Sequence, residues 1–187
     1  KPSSAASDVY KRQEYNSFGT TISKNKFITT FNFIEENGAI GNKNIFREHC
    51  TANPGTAGDN MITIVGSSSL FMIGAHIAHD CNILNNIVLA NNVQVGGHVT
   101  IYDNAIVGGS CAIHQFSRIG ESSMVGGMTG VLSDIIPYGL SLGNRNNLVG
   151  LNLIGLRRAR ISNENIKIMQ QAYEIIFKNE NFRSNIN

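Results

Sequence analysis

From Val65 onward the chain carries an apolar residue at every sixth position: Val65, Phe71, Ile77, Ile83, Leu89, Val95, Ile101, Val107, Ile113, Ile119, Val125 and Val131. A helix repeats its apolar face about every 3.6 residues and a simple strand every two, so a sustained period of six needs another geometry. Short strands separated by turns supply it. Three hexads close one triangular coil of about 18 residues, and coils stacked about 4.8 Å apart pair as parallel strands around an apolar prism. The pattern therefore predicts a mostly β chain folded as a parallel β-helix.

Two further columns support the period. One position after the apolar residue stand Gly66, Ala78, Ala90, Gly96, Gly108, Gly120 and Gly126, as a corner with little room requires. Four positions after it come Ser69, Ala75, Cys81, Val93, Ala105, Cys111 and Thr129, with Cys50 in the same slot one stretch earlier. A weaker column, Ile22, Ile28, Ile34, Ile40 and Phe46, extends the solenoid toward the N-terminus. The phase slips by one between Phe46 and Val65, around Asn53-Pro-Gly-Thr-Ala-Gly-Asp-Asn60, a run of turn formers read as a loop thrown out of the coil.

Residues 1–13 have no apolar period and are expected to be a disordered end or scar, leaving 14–143 as the β-helix. Residues 144–160 read as a connecting segment through the polar Gly143-Asn-Arg-Asn-Asn147. Residues 161–187 then read as the start of a truncated α-helical domain. Ser162 is placed to cap a helix whose apolar face is Ile166, Met169, Ala172, Tyr173 and Ile176.

Composition adds exclusions. Fifteen Lys and Arg against thirteen Asp and Glu give no bulk charge that calls for nucleic acid. No apolar run is long enough to span a bilayer and no charged-then-apolar leader opens the chain, so a cytoplasmic protein is expected. Three cysteines, Cys50, Cys81 and Cys111, fit neither a CxxC metal site nor a disulfide framework and read as buried thiols.

The chemistry gathers on one strip. The hexads beginning at Ile77, Val95 and Ile113 lie one coil above another, and their outward slots hold His79, Asp80, Gly97, His98, His114 and Gln115, with His76 just before. Four of the five histidines thus fall within three coils. A neutral imidazole can take a proton near neutral pH, an adjacent carboxylate can fix its tautomer, and a backbone N–H beside glycine can approach an oxyanion. The same residues could instead decorate a surface or subunit contact, or hold Zn²⁺ through three histidines. The zinc reading is the weaker one, because no two of these histidines share a column and Asp80 sits beside a ready base.

The runs Gly74-Ala-His-Ile-Ala-His-Asp-Cys81, Gly96-Gly-His-Val99, Ala112-Ile-His-Gln-Phe116 and Gly155-Leu-Arg-Arg158 closely resemble the UDP-N-acetylglucosamine O-acyltransferases, hexapeptide-repeat enzymes of lipid A biosynthesis. The likeness covers about residues 40–177. It implies a left-handed parallel β-helix followed by a short α-helical C-terminal segment, and a homotrimer with active sites between neighbouring prisms. It further implies that His79 is the general base, that Asp80 orients it, and that the Gly97 N–H stabilises the oxyanion. By the same resemblance His76, His98, His114, Gln115, Asn152 and Arg158 contact substrate, and Met124 and Gly127 line the acyl groove. The donor would be a 3-hydroxyacyl chain on the phosphopantetheine of acyl carrier protein and the acceptor UDP-N-acetylglucosamine, with no metal and no other cofactor. Arg118, Arg157 and Arg160 could meet the acidic carrier.

The family's Asp-x-Lys pair upstream of the Asn-Pro-Gly-Thr-like segment has no counterpart here; Lys26 is the nearest candidate, and Lys24 stands where the Asp should be. Three other functions stay open: N-acyl transfer to a 3-amino UDP-sugar, a metal-dependent hydratase on the same β-helix, and a non-catalytic solenoid.

Overall fold

In the computed structural model, which describes residues 26–27, 38–57 and 62–178, short strands wind into a three-walled parallel β-helix. The first wall stacks Lys26–Phe27, Ile45–Phe46, Leu70–Phe71, Val88–Leu89, Ile106–Val107, Met124–Val125, Gly139–Leu142 and Asn147–Leu151. The second stacks Thr51–Ala52, His76–Ile77, Gln94–Val95, Ala112–Ile113 and Gly130–Val131, and the third Gly38–Ile40, Thr63–Val65, Asn82–Ile83, Thr100–Ile101 and Arg118–Ile119. Every neighbouring pair is parallel except the last pair of the first wall.

The six-residue column is the core. Phe71, Ile77, Ile83, Leu89, Val95, Ile101, Val107, Ile113, Ile119, Val125 and Val131 are all buried, joined by Ala75, Cys81, Ile87, Val93, Val99, Ala105 and Cys111 from the second inward slot. Phe46 and Phe71 stack at 4.7 Å between ring centroids within this core. All three cysteines are free and buried, and burial pushes the Cys81 thiol up to about 11.

Each hexad turns through a left-handed residue three positions after the core residue: Asp80, Asn86, Asn92, His98, Asn104, Ser110, Phe116, Ser122 and Met128 all have positive φ. Short polar side chains tolerate that conformation best, which accounts for the asparagines at three of these corners. The glycine column serves a different need. A Cβ at Gly96 would stand 2.8 Å from the carbonyl oxygen of Ile113 in the next coil, so these glycines answer to close stacking and not to φ.

The phase slip has a structural counterpart. Phe46 pairs with Phe71 and Ala52 with Ile77, an offset of 25 residues, whereas Ile77, Val95 and Ile113 follow at 18. Seven residues are thus added to the coil that contains Asn53-Pro-Gly-Thr56. Of the N-terminal column, Ile22, Ile28 and Ile34 lie outside the described residues, as do 1–13; the described fragment Lys26–Phe27 has Phe27 in register with Phe46, one position ahead of that column.

Residues 144–160, expected as a connecting segment, hold two elements. Strand Asn147–Leu151 folds back antiparallel on Gly139–Leu142, through a turn in which Gly143 and Asn146 take positive φ. Helix α1, Leu153–Arg158, follows with Leu156 fully buried. Helix α2, Asn163–Tyr173, starts at Ser162, whose hydroxyl accepts the Asn165 N–H at 3.2 Å, and it runs into a wider π-helical turn, Glu174–Lys178. Of its expected apolar face Ile166 and Tyr173 are buried and Met169 is half-buried, while Ala172 and Ile176 are exposed. The helix packs on strand Asn147–Leu151, and the Tyr173 hydroxyl donates to the Leu148 carbonyl at 3.1 Å. No helix among the described residues is long and apolar enough to cross a membrane.

Candidate active site

The ladder His76↔Gln94↔Ala112 and Ile77↔Val95↔Ile113 fixes what lies one step beyond it. At the corner that leads from the second wall to the third, the segments 79–80, 97–98 and 115–116 are stacked in successive coils. The His98 N–H donates to the His79 carbonyl at 3.1 Å and the Phe116 N–H to the Gly97 carbonyl at 3.0 Å. The histidines that are scattered in sequence become vertical neighbours for this reason alone.

His79 Nδ1 lies 2.9 Å from Asp80 Oδ2. An ionised carboxylate only accepts, so this bond places the proton on Nδ1 and leaves the Nε2 lone pair available as a base. The Asp80 side chain has no solvent exposure, whereas that of His79 is 39% exposed. Burial by itself would raise the Asp80 pKa; hydrogen bonds from Thr56 and from His79 outweigh it and bring it down to about 2. Thr56 donates its N–H to both carboxylate oxygens, at 3.1 and 3.0 Å, and its hydroxyl to Oδ2 at 2.6 Å.

Gly97 is buried directly against the His79 ring. A Cβ at this position would stand 2.7 Å from Cε1 and 2.8 Å from Nε2 of the imidazole, so only glycine lets the ring lie there. Among the described residues the Gly97 N–H has no assigned acceptor, between a Gly96 N–H bound to the Ile113 carbonyl and a His98 N–H bound to His79. His98 meets His79 edge to face at 5.1 Å and stacks on Phe116 at 4.6 Å.

The other sequence-derived residues fall around this core or away from it. His76, half-buried on the second wall, shares a 2.7 Å hydrogen bond between Nδ1 and the Thr51 hydroxyl, and burial lowers its pKa. His114 and Gln115 are exposed at the top of the corner, with His114 Nδ1–H donating to the Gln115 carbonyl at 3.0 Å. Asn152, Arg158 and Met124 are elsewhere. They line a cavity of about 580 Å³ on the first wall, together with Tyr138, Glu121 and Ile154, and no histidine reaches it. Gly127 is exposed outside that cavity and stacks on Gly109.

Asn152 has a structural duty that its sequence context did not announce. Its Oδ1 caps α1 by accepting the Gly155 N–H at 2.9 Å, and its Nδ2 donates to the Ser122 carbonyl at 2.9 Å. Arg158 is exposed at the end of the same helix, and Arg157 and Arg160 are exposed nearby. Arg118 is held by Asp134 through two contacts, 2.8 Å from Nε and 2.6 Å from the terminal nitrogen. The residues that motif reading passed over are Thr56, Thr51 and Phe116. Thr56 had a signal in its loop of turn formers, and Phe116 in the motif Ala112-Ile-His-Gln-Phe116 that it ends, though neither was given a role.

One group could also hold a cation: donor atoms of His79, Asp80 and His98 lie within 4.8 Å of one another. The Asp80 oxygens already accept three hydrogen bonds from Thr56 and one from His79, which satisfies the carboxylate without a metal.

Comparison with known proteins bears on this arrangement directly. Residues 134–187 match the family model described as UDP N-acetylglucosamine O-acyltransferase, domain 2. A curated acyl-(acyl-carrier-protein)–UDP-N-acetylglucosamine O-acyltransferase of Anaeromyxobacter sp. strain K is 47% identical over 139 residues, covering 74% of this chain and 54% of that relative. A solved UDP-N-acetylglucosamine O-acyltransferase from Moraxella catarrhalis matches with 39% identity and a TM-score of 0.75 over 84% of this chain and 62% of that one. A solved UDP-N-acetylglucosamine acyltransferase from Bacteroides fragilis matches with 32% identity and a TM-score of 0.77, over 84% of this chain and 72% of that one. The chain spans about half the length of the curated relatives it matches. With nearly three quarters of the Bacteroides protein covered at that identity, on a shared β-helix, this chain belongs to the UDP-N-acetylglucosamine O-acyltransferase family.

Proposed function

We propose that the protein transfers a 3-hydroxyacyl chain from acyl carrier protein to the 3-hydroxyl of UDP-N-acetylglucosamine, the reaction that opens lipid A biosynthesis, in the cytoplasm. The observation that carries this reading is the imidazole of His79, fixed as the Nδ1–H tautomer by a buried Asp80 and lying against the Gly97 backbone.

The chemistry follows from those atoms. His79 Nε2 takes the proton of the sugar hydroxyl as its oxygen attacks the thioester carbonyl carbon. Charge develops on the carbonyl oxygen, where the Gly97 N–H would stabilise it. The C–S bond then breaks, the ester remains on the sugar, and the imidazolium returns its proton to the phosphopantetheine thiolate. Each step uses a side chain or backbone group, and no metal or redox cofactor takes part. His76, His98, His114 and Gln115 would hold the sugar and acyl chain around the base.

Within one prism the His79 corner and the Asn152–Arg158 cavity lie on different walls, which supports a homotrimer whose active sites lie between subunits. Arg158 of one copy would then reach the nucleotide bound at the His79 of another, its guanidinium pairing with phosphate. Met124 and Gly127 would border the acyl chain, and Arg157 and Arg160, which have no ion pair among the described residues, would offer cations to an acidic carrier.

Transfer of a radiolabelled 3-hydroxyacyl group from carrier protein to UDP-N-acetylglucosamine, measured for the wild type beside His79→Ala, tests the reading. The variant should lose roughly 10²- to 10⁴-fold in rate, the usual worth of a positioned base. Equal rates for the two proteins would remove His79 from the mechanism. A 3-amino UDP-sugar run in parallel decides between ester and amide formation, and a chelator arm decides against the metal-dependent hydratase that the His79, Asp80 and His98 spacing admits.

A further inference from the structure

The loop that disturbs the hexapeptide period has a specific target. The strand pair Thr51–Ala52 and His76–Ile77 is offset by 25 residues, and the Asn53 N–H donates to the Ile77 carbonyl at 2.9 Å. Carried forward, this register sets Gly55 beneath Asp80 and Thr56 one step beyond, where an offset of 18 would have set residue 62 instead. The chain therefore delivers the Thr56 hydroxyl and N–H to the Asp80 carboxylate.

We infer that Thr56 is a positioning residue for the His79–Asp80 pair, holding the Asp80 carboxylate in the one rotation that presents Oδ2 to His79 Nδ1. The inference rests on the acyl-transfer reading above for its effect on rate, but its geometry stands by itself. Three contacts from Thr56 account for both oxygens: N–H to Oδ1 at 3.1 Å, N–H to Oδ2 at 3.0 Å and Oγ1 to Oδ2 at 2.6 Å. The same oxygen, Oδ2, receives both the hydroxyl and the imidazole. Rotating the carboxylate to release His79 would thus break the shortest of these bonds as well.

Asp80 needs such a clamp because of where it sits. Its backbone is left-handed, φ 57°, and its side chain is shut off from solvent. A buried carboxylate with one partner would be free to rotate or to pick up a proton, and either change releases the imidazole to its other tautomer. The Thr56 hydroxyl is the foremost of the groups that keep this carboxyl ionised. His79 has Gly97 against its ring and His98 edge to face at 5.1 Å, and the acceptor within hydrogen-bond distance of its Nδ1 is Asp80 Oδ2, at 2.9 Å.

The test pairs kinetics with a direct view of the imidazole. Thr56→Val removes the hydroxyl and keeps the shape; Thr56→Ser restores the hydroxyl. For Thr56→Val we expect kcat for acyl transfer to fall roughly ten- to a hundred-fold with KM for UDP-N-acetylglucosamine within about twofold, since only the base is disturbed. Nitrogen-15 NMR of His79 should show a single Nδ1–H tautomer in the wild type, a tautomer mixture in Thr56→Val, and the single tautomer again in Thr56→Ser. Thr56→Ala is read beside valine, so that a fold defect peculiar to the branched side chain does not decide the result. An unchanged tautomer in both Val and Ala variants, or a serine variant as impaired as they are, overturns the inference. If the wild type transfers no acyl group, the acyl-transfer reading fails, and the imidazole spectrum still decides for or against Thr56.

Discussion

Around His79 every partner has a chemical reason to be what it is. The carboxylate is beside it in sequence, and from its left-handed corner position Asp80 turns back to bond its own neighbour. The cost of burying that charge is offset by donors, and this gives a pH signature. The folded-state pKa of Asp80 lies at about 2, below its ordinary value of 3.8. Between these values the unfolded chain binds more protons than the folded one, so stability rises with pH there. The contribution is complete above the ordinary value and is lost as pH falls toward 2. Urea unfolding midpoints followed through that window should drop more steeply for the wild type than for Asp80→Asn, which has no carboxyl to protonate. Parallel curves would remove Asp80 from the acid response. The pairing of an imidazole with its carboxylate was legible in the sequence as His79-Asp80. Thr56 was not, because a contact across 24 positions depends on how far a loop reaches.

Among the elements, the coil corner matters most. A regular hexad fixes which side chains point inward, yet leaves the corner slots free to carry function. The same left-handed slot holds Asn86, Asn92 and Asn104 for conformational reasons and Asp80 and His98 within the candidate site. Sequence alone cannot separate these uses, since both favour short polar residues. Gly97 is a case where the structure does separate them. It does not have positive φ, and what excludes a side chain is the His79 ring. Gly97→Ala should therefore leave the β-helix intact while forcing the imidazole aside, and acyl transfer should fall roughly 10²-fold, as for a displacement of about 1 Å in a reacting group. Unfolding midpoints and rates measured on the same preparation check both halves; a variant at full rate would show that the ring adapts. Helix α1 teaches the opposite lesson. Asn152 was singled out for substrate, and the structure occupies both ends of its amide in capping α1 and tying it to Ser122. The helix itself lies within a stretch whose Gly and Asn content signalled a link, because a six-residue helix with one buried side chain leaves almost no periodic trace.

For the molecule as a whole, the decisive fact is that the residues named by motif do not form one site within a single chain. His79, Asp80, Gly97 and His98 meet at one corner, with His114 and Gln115 exposed above it and His76 on the adjoining second-wall strand, while Asn152, Arg158 and Met124 line a cavity on another wall and Gly127 lies outside that cavity. If the active site forms between copies, subunits defective in different places should complement one another. His79→Ala and Arg158→Ala preparations, each impaired alone, should regain activity when unfolded together and reassembled, because some interfaces then unite an intact His79 with an intact Arg158. No recovery above the sum of the separate activities would put both groups in one subunit. The sequence by itself determined the solenoid: one apolar residue in every six allows only a chain that turns inward at that interval, and this periodicity is a local property repeated many times. It also determined which imidazoles would meet, since stacking at a constant 18 converts linear spacing into vertical contact. What only the tertiary structure decided lies where that constancy breaks. The register jump of 25 carries Thr56 to Asp80, and the chain that reverses after Leu142 supplies the strand under α2 and leads into α1 at the cavity. Both depend on how an irregular segment packs against a finished prism, a long-range contact that no repeat encodes.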